Sequence, residues 1–371
     1  MNRATCPLFG LLSLLFALGC GRKDGVARDP DLSPAAVPAA SSVVSIGSGA
    51  GSPSVVVSGD PPAASQIAPP SSAGASALAP TLGRCAQAGS LREWRYSPTA
   101  TALPDGRVMV AGGRQHDGEQ GTKSVEMWDP QSGTFGPSSP LSEGRTMHRA
   151  VVLRDGRVLF AGGRARLIEV YNPKTDKWRK AGRTRQATAD TFAVALTDGR
   201  AIIAGGDMEW KGAFSDEVLV FDPATSLVKE VGGLSDGGLA GGFVVARPNG
   251  TAVLMGWRSQ EDVDKPLKKF VIDADSGKLS AFFGMDPGVA ALTQLPIDRA
   301  EVLGYDVSRP GKMIATATDI RRFDPLAKKW EVVATLLSKH EAGAAAFLDD
   351  HRVLVLGGLE KAHEVAELCT F

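Results

Sequence analysis

An excess of either charge is what this chain most plainly lacks: Lys plus Arg and Asp plus Glu each total 41 of its 371 residues. A balanced chain exerts no long-range pull on a phosphate backbone, which argues against nucleic acid as the main partner. Aromatic side chains make up only 6% of the residues, against 43 glycines. Plentiful turns and few large core residues favour β structure over a helix bundle. There are four cysteines, Cys6, Cys20, Cys85 and Cys369, too far apart for an all-cysteine zinc site at motif spacing. The five histidines, His116, His148, His340, His351 and His363, form no pair at helical ligand spacing. From residue 84 onward no Gly-x-Ser-x-Gly nucleophile elbow occurs. The glycine-rich run 237–242 lacks the strand, helix and distal acid of a dinucleotide site.

What is present begins with an address. Arg3 precedes an apolar run from Leu8 to Leu18, far shorter than the roughly 20 residues that a membrane-spanning helix needs. The run ends Phe16-Ala17-Leu18-Gly19-Cys20, which resembles the lipobox of bacterial lipoprotein signals. That resemblance implies a signal peptide over 1–19 and acylation of Cys20. Gly21 in place of Asp after the cysteine points, by the same resemblance, to the outer membrane. Residues 21–83 are nearly all Ala, Pro, Ser, Gly and Val without an aromatic, too little apolar surface to offset ordering entropy. The stretch 20–83 therefore reads as a lipidated, disordered tether with a mean reach of roughly 40 to 50 Å. Its charges (Arg22, Lys23, Arg28 against Asp24, Asp29, Asp31, Asp60) cancel once Arg3 is counted, so the remainder is balanced as well.

Residues 84–371 repeat six times. One marker is a turn followed at a fixed interval by glycine: Asp105 to Gly112, Asp155 to Gly162, Asp198 to Gly205, Asn249 to Gly256, Ile297 to Gly304 and Asp350 to Gly357. Asp-Gly between apolar runs predicts a hairpin with a type I′ turn. The second marker is an apolar residue, Asp or Asn, and usually Pro, as in Trp128-Asp129-Pro130, Tyr171-Asn172-Pro173, Phe221-Asp222-Pro223 and Phe323-Asp324-Pro325. The acidic or amide side chain can hold nearby backbone amides while proline presets φ, so this predicts a second hairpin, from strand three to strand four.

Four strands per unit, a Gly-Gly pair after the second (Gly112-Gly113, Gly162-Gly163, Gly205-Gly206, Gly357-Gly358) and an aromatic in the fourth resemble the kelch repeat. The resemblance spans 84–371 and implies an all-β, six-bladed kelch-like β-propeller. Units four and five depart from it, with Gly256-Trp257, Gly304-Tyr305 and Ile272-Asp273-Ala274. The sixth unit ends at Phe371 after three strands, so 84–92 is expected to supply its fourth and close the ring. The repeat alignment sets Cys369 where other units carry Asp or Asn, opposite Cys85, and predicts a disulfide at the joint.

Some propellers of this type are enzymes. Copper oxidases of the galactose oxidase type need a cysteine–tyrosine cross-link, and this chain has only Tyr96, Tyr171 and Tyr305, with both late cysteines taken. The expectation is a non-catalytic binding or scaffolding module without cofactor or metal, monomeric, membrane-attached through its lipid, and taking a protein, peptide or glycan. A mutarotase- or epimerase-like sugar enzyme using the central pocket is the alternative. Segments between blades carry Arg95, Arg145, His148, Arg183, Arg185, Lys339 and His340. By repeat register they match ligand-contacting positions of peptide-binding kelch modules; they equally suit solvated rim charges balanced by Glu143, Asp190 and Glu341. Trp210 and Trp257, in long loops after the glycine pairs, suit stacking on a ligand or packing in the core.

Overall fold

The computed structural model describes residues 82–115, 121–208, 213–234, 237–247, 249–258, 267–283, 302–306, 312–359 and 364–371. Cys20, the signal and tether segments through residue 81, His116, Trp210 and His363 lie outside the described residues.

Apolar residues alternate with turn chemistry along the repeats, and each repeat folds as a four-stranded antiparallel sheet. Blade one is Thr99–Ala102, Val108–Ala111, Val125–Asp129 and Thr134–Pro137; blade two is His148–Val152, Val158–Gly162, Leu167–Asn172 and Lys177–Arg183. Blade three is Phe192–Ala195, Ala201–Ala204, Glu217–Asp222 and Leu227–Gly233; blade four is Ala240–Ala246, Thr251–Trp257, Lys268–Asp273 and Leu279–Ala281. Blade five is Val302–Asp306, Met313–Thr316, Asp319–Asp324 and Lys329–Thr335. Blade six is Ala344–Phe347, Arg352–Leu356 and Val365–Thr370, completed by Arg84–Ser90 from the start of the module. The six sheets form a six-bladed β-propeller, and no α-helix occurs among the described residues.

The core is divided among the seams. Six apolar clusters each draw on two adjacent blades, for example Val108, Val110, Leu354 and Leu356 between blades one and six, or Phe243, Met255, Ile314 and Trp330 between four and five. Each fully buried large apolar side chain contributes about 1.5–3 kcal/mol, so every blade depends on both neighbours. The fourth-strand aromatics belong to these seams: Trp178 Nε1 donates to the Ser139 carbonyl of the preceding blade at 2.8 Å.

Two turn readings change in detail. In the Asp-Gly hairpins only glycine is left-handed, as at Gly106 (φ +87°), while Leu103 N–H bonds Arg107 O at 2.8 Å and Gly106 N–H bonds Leu103 O at 3.0 Å. This is a three-residue turn with one left-handed position, not the type I′ turn expected, and the same bonds recur around Gly156 and Gly199, because one residue more than the Asp-Gly pair lies between the paired strands. The second hairpin behaves as read: Asp129, Asn172, Asp222, Asp273 and Asp324 each accept a bond from an amide two residues on. Asp273 does so without a following proline, which is why blade four keeps its turn.

Blade five corrects the repeat marker. Gly304 lies in the first strand, and the second is Met313–Thr316, so Thr316-Ala317 stands where other blades have their glycine pair. The Cys85–Cys369 disulfide is present, with a sequence separation of 284. Its register is one residue from that expected. Cys369 pairs with Val353 and Cys85 as Trp128 pairs with Val108 and Phe135, so the bond replaces an apolar cross-strand pair rather than an Asp–aromatic one.

Candidate functional site

Antiparallel order sends the inter-blade crossings and the loops between strands two and three to one face of the ring, here called the crossing face. The two hairpin turns of each blade fall on the opposite, turn face. Eight of the nine ligand candidates belong to the crossing face by this topology; the ninth, Trp210, is outside the described residues.

On that face neighbouring crossings are joined through main chain. Ser97, Met147, Asp190 and Ala342 occupy one register position and share left-handed backbone, with φ between +49° and +55°. Asp190 N–H donates to Met147 O at 3.1 Å, Met147 N–H to Ser97 O at 3.2 Å, and Ser97 N–H to Ala342 O at 2.6 Å. Blades six, one, two and three are thus linked by a belt of backbone bonds, a use that offsets the cost of left-handed non-glycine residues. The glycine pairs let neighbouring blades approach closely here: a Cβ at Gly112 would stand 2.6 Å from Arg145 O and 2.7 Å from His148 Cε1 of the next blade.

Behind the belt lie three of the sequence candidates, inside the module rather than on its rim. Arg95 is fully buried, donating to Glu126 Oε1 at 2.5 Å, Gly112 O at 3.2 Å and Ser124 O at 3.0 Å. Arg145 repeats the arrangement one blade on, with Glu169 at 3.1 Å, Gly162 O at 2.8 Å and Leu167 O. In blade six His340 takes the place of arginine, its Nδ1 2.8 Å from Gly357 O and its Nε2 3.1 Å from Glu367. Desolvation lowers both arginine pKa values from their ordinary range, partly countered by the paired glutamates. Each side chain holds the blade that the chain is entering, while the carbonyls of Arg95 and Arg145 accept from Gly358 and Gly113 of the blade it leaves. At this position blade three has Thr188 and blade four Leu239, neither of which carries a charge.

The glutamates were not singled out from the sequence. Glu126, Glu169 and Glu367 are each the lone carboxylate in the apolar part of a third strand, and that isolation is the signal that marks them. They also accept crossing amides, as Glu126 does from Arg92 at 2.8 Å and Glu367 from Ser338 at 2.9 Å.

His148 is likewise buried, its Nε2 2.9 Å from Thr99 Oγ1. Burial, with Arg145 and Arg149 nearby, drives its pKa well below the usual histidine value, so it is neutral at physiological pH. Arg183, Arg185 and Lys339 do reach solvent, and each meets an acid: Glu143 at 3.8 Å, Asp216 at 2.9 Å and Glu341 at 2.8 Å. Trp257 is half-buried at the end of a second strand. Trp94, not among the candidates, is half-buried in the crossing from blade six to blade one and lies 6.0 Å from the Tyr96 ring. Among the described residues no group of three or more His, Cys, Asp or Glu is placed to hold a metal.

No protein-family model matches the chain, and no curated protein sequence matches it. Among solved structures it is similar to one described as a novel fungal alcohol oxidase with catalytic diversity among the AA5 family, in complex with copper. The two share 12% identity over 78% of this chain and 76% of that one, with a TM-score of 0.56. It is also similar to YjhT, with 15% identity, coverage of 75% and 94%, and a TM-score of 0.46. At these identities the likeness speaks to fold alone. It nonetheless removes the expectation of a non-catalytic chain, because the fold is shared with a copper-bound oxidase and is no argument against catalysis.

Proposed function

We propose that the protein is a kelch-type recognition module that takes a protein, peptide or glycan through its crossing face, and that an acylated Cys20 tethers it to the bacterial outer membrane. One observation carries the reading. On the turn face the third-to-fourth-strand loops are uniform, 130–133, 173–176, 223–226, 274–278 and 325–328, whereas toward the crossing face the length of sequence separating the second and third strands varies widely: 112–124, 163–166, 205–216, 258–267, 317–318 and 357–364. Loops that serve only to reverse a chain stay short; length variation on a rigid scaffold is where recognition is built. Arg183, Arg185 and Lys339 supply exposed charge there, in pairs that a ligand can rearrange.

The test is a peptide and glycan array probed with the full chain. Binding should be lost in Arg183→Glu/Arg185→Glu and kept in the turn-side control Lys177→Glu. An array without signal, or equal loss in the control, would sink the proposal. For the tether, labelled palmitate should enter the parent and not Cys20→Ala; equal labelling would count against acylation at that residue.

A further inference from the structure

The two buried arginines described above each have a carboxylate. A third does not. Arg114 follows the Gly112-Gly113 pair and exchanges two 3.0 Å backbone hydrogen bonds with Tyr96. It is only 8% exposed, yet among the described residues no carboxylate or hydrogen-bond acceptor meets its guanidinium, and Nε is both buried and unpartnered. Its one side-chain contact of note is the Tyr96 ring, whose centroid lies 5.0 Å from Cζ. A cation–π contact offsets about 0.5–2 kcal/mol. The Tyr96 ring in turn lies 6.0 Å from that of Trp94. Trp94 is half-buried, anchored by Nε1 to Gly358 O at 3.0 Å, and the neighbouring Leu359 is 44% exposed. Arginine recurs at this register as Arg164 and Arg258, the latter over the Phe270 ring at 4.5 Å.

We infer that Arg114 anchors a site for an organic carboxylate at the crossing-face seam of blades six and one, with Trp94 and Leu359 receiving the planar or apolar group that bears it. A carboxylate matches the guanidinium fork and supplies the charge that no described residue provides. The inference deepens the recognition reading and rests on it, in that it names the chemistry one part of the face would take.

Benzoate is the probe, titrated into the full chain while the Trp94 indole and Arg114 Nε resonances are followed by nitrogen-15 NMR. Both should shift saturably, and benzamide, of the same shape without the charge, should leave them in place. Arg114→Gln should weaken benzoate by about tenfold or more. Without ligand it should melt close to the parent or higher, because the change breaks no ion pair among the described residues. Unmoved resonances, equal shifts with benzamide, or a much lower-melting Arg114→Gln that still binds benzoate would overturn the inference. Should that variant fail to fold, the parent's contrast between benzoate and benzamide decides alone. Failure of the wider reading looks different: benzoate binds at Arg114 while neither array gives signal. An array ligand lost in Arg183→Glu/Arg185→Glu, with no benzoate shift, leaves the wider reading standing and ends this one.

Discussion

Both faces of the ring are fastened by arginine, and they are fastened differently. On the crossing face Arg95 and Arg145 are sealed from water, each with a glutamate and carbonyls of the blade being entered. On the turn face arginines follow the Asp-Gly turns, pair with the aspartate of their own turn and reach across to the next blade. Arg107 meets Pro173 O at 3.4 Å, Arg157 meets Pro223 O at 3.1 Å and Ser226 Oγ at 2.6 Å, and Arg200 meets Asp275 at 2.5 Å. Their side chains keep 37%, 20% and 24% exposure. The residue type and the task are shared; the dielectric is not. A buried pair cannot lose one member without stranding the other, whereas an exposed member returns to water. The face with irregular loops therefore has the less forgiving fastenings.

The largest effect expected is from Arg145→Met, which leaves Glu169 buried and unpaired and should cost about 3–5 kcal/mol in urea unfolding. Arg145→Met/Glu169→Leu should recover most of it, and a double variant as unstable as the single would refute the buried-pair account. Blade six sharpens the contrast because its latch titrates. Burial alone would raise the Glu367 pKa, but bonds from His340, Ser338 and the Leu337 amide outweigh it and hold the carboxyl below its ordinary 4.5. Its contribution is therefore complete above that value and is lost as pH falls through the lower, folded-state pKa. Melting temperatures of the parent and Glu367→Gln should converge as the solution is acidified below about pH 4.5. A gap that stays constant would break the link. The smallest effect belongs to the turn face: Arg157→Ala should cost less than about 1 kcal/mol. A loss equal to that of Arg145→Met would erase the difference between the faces.

The blades were legible because their signals are local. Alternating strands, Asp-Gly and Asp-Pro are chemistry within a few residues of where they act. Blade five was misregistered because Gly304 imitates the marker while the true position holds Thr316-Ala317. The disulfide was found but shifted by one, since the final strand carries Thr370 where other blades have the Asp or Asn that fixes the count. Depth was not legible: repeat register placed Arg95, Arg145 and His340 together but not beneath the surface. Nor was the belt, whose members Ser97, Met147, Asp190 and Ala342 share a backbone conformation and no side-chain chemistry. Arg114 escaped notice for a related reason, as an unmatched charge is visible only once its surroundings are known.

The disulfide has a consequence for damage. Residues 85 to 369 form a closed covalent circuit that contains every loop of the crossing face. A protease that cuts once anywhere in that circuit severs the backbone without releasing a fragment, and the six seams keep both pieces in register. Two cuts, or one cut followed by reduction, are needed to separate them. The exposed loops can thus be nicked while the molecule remains one piece.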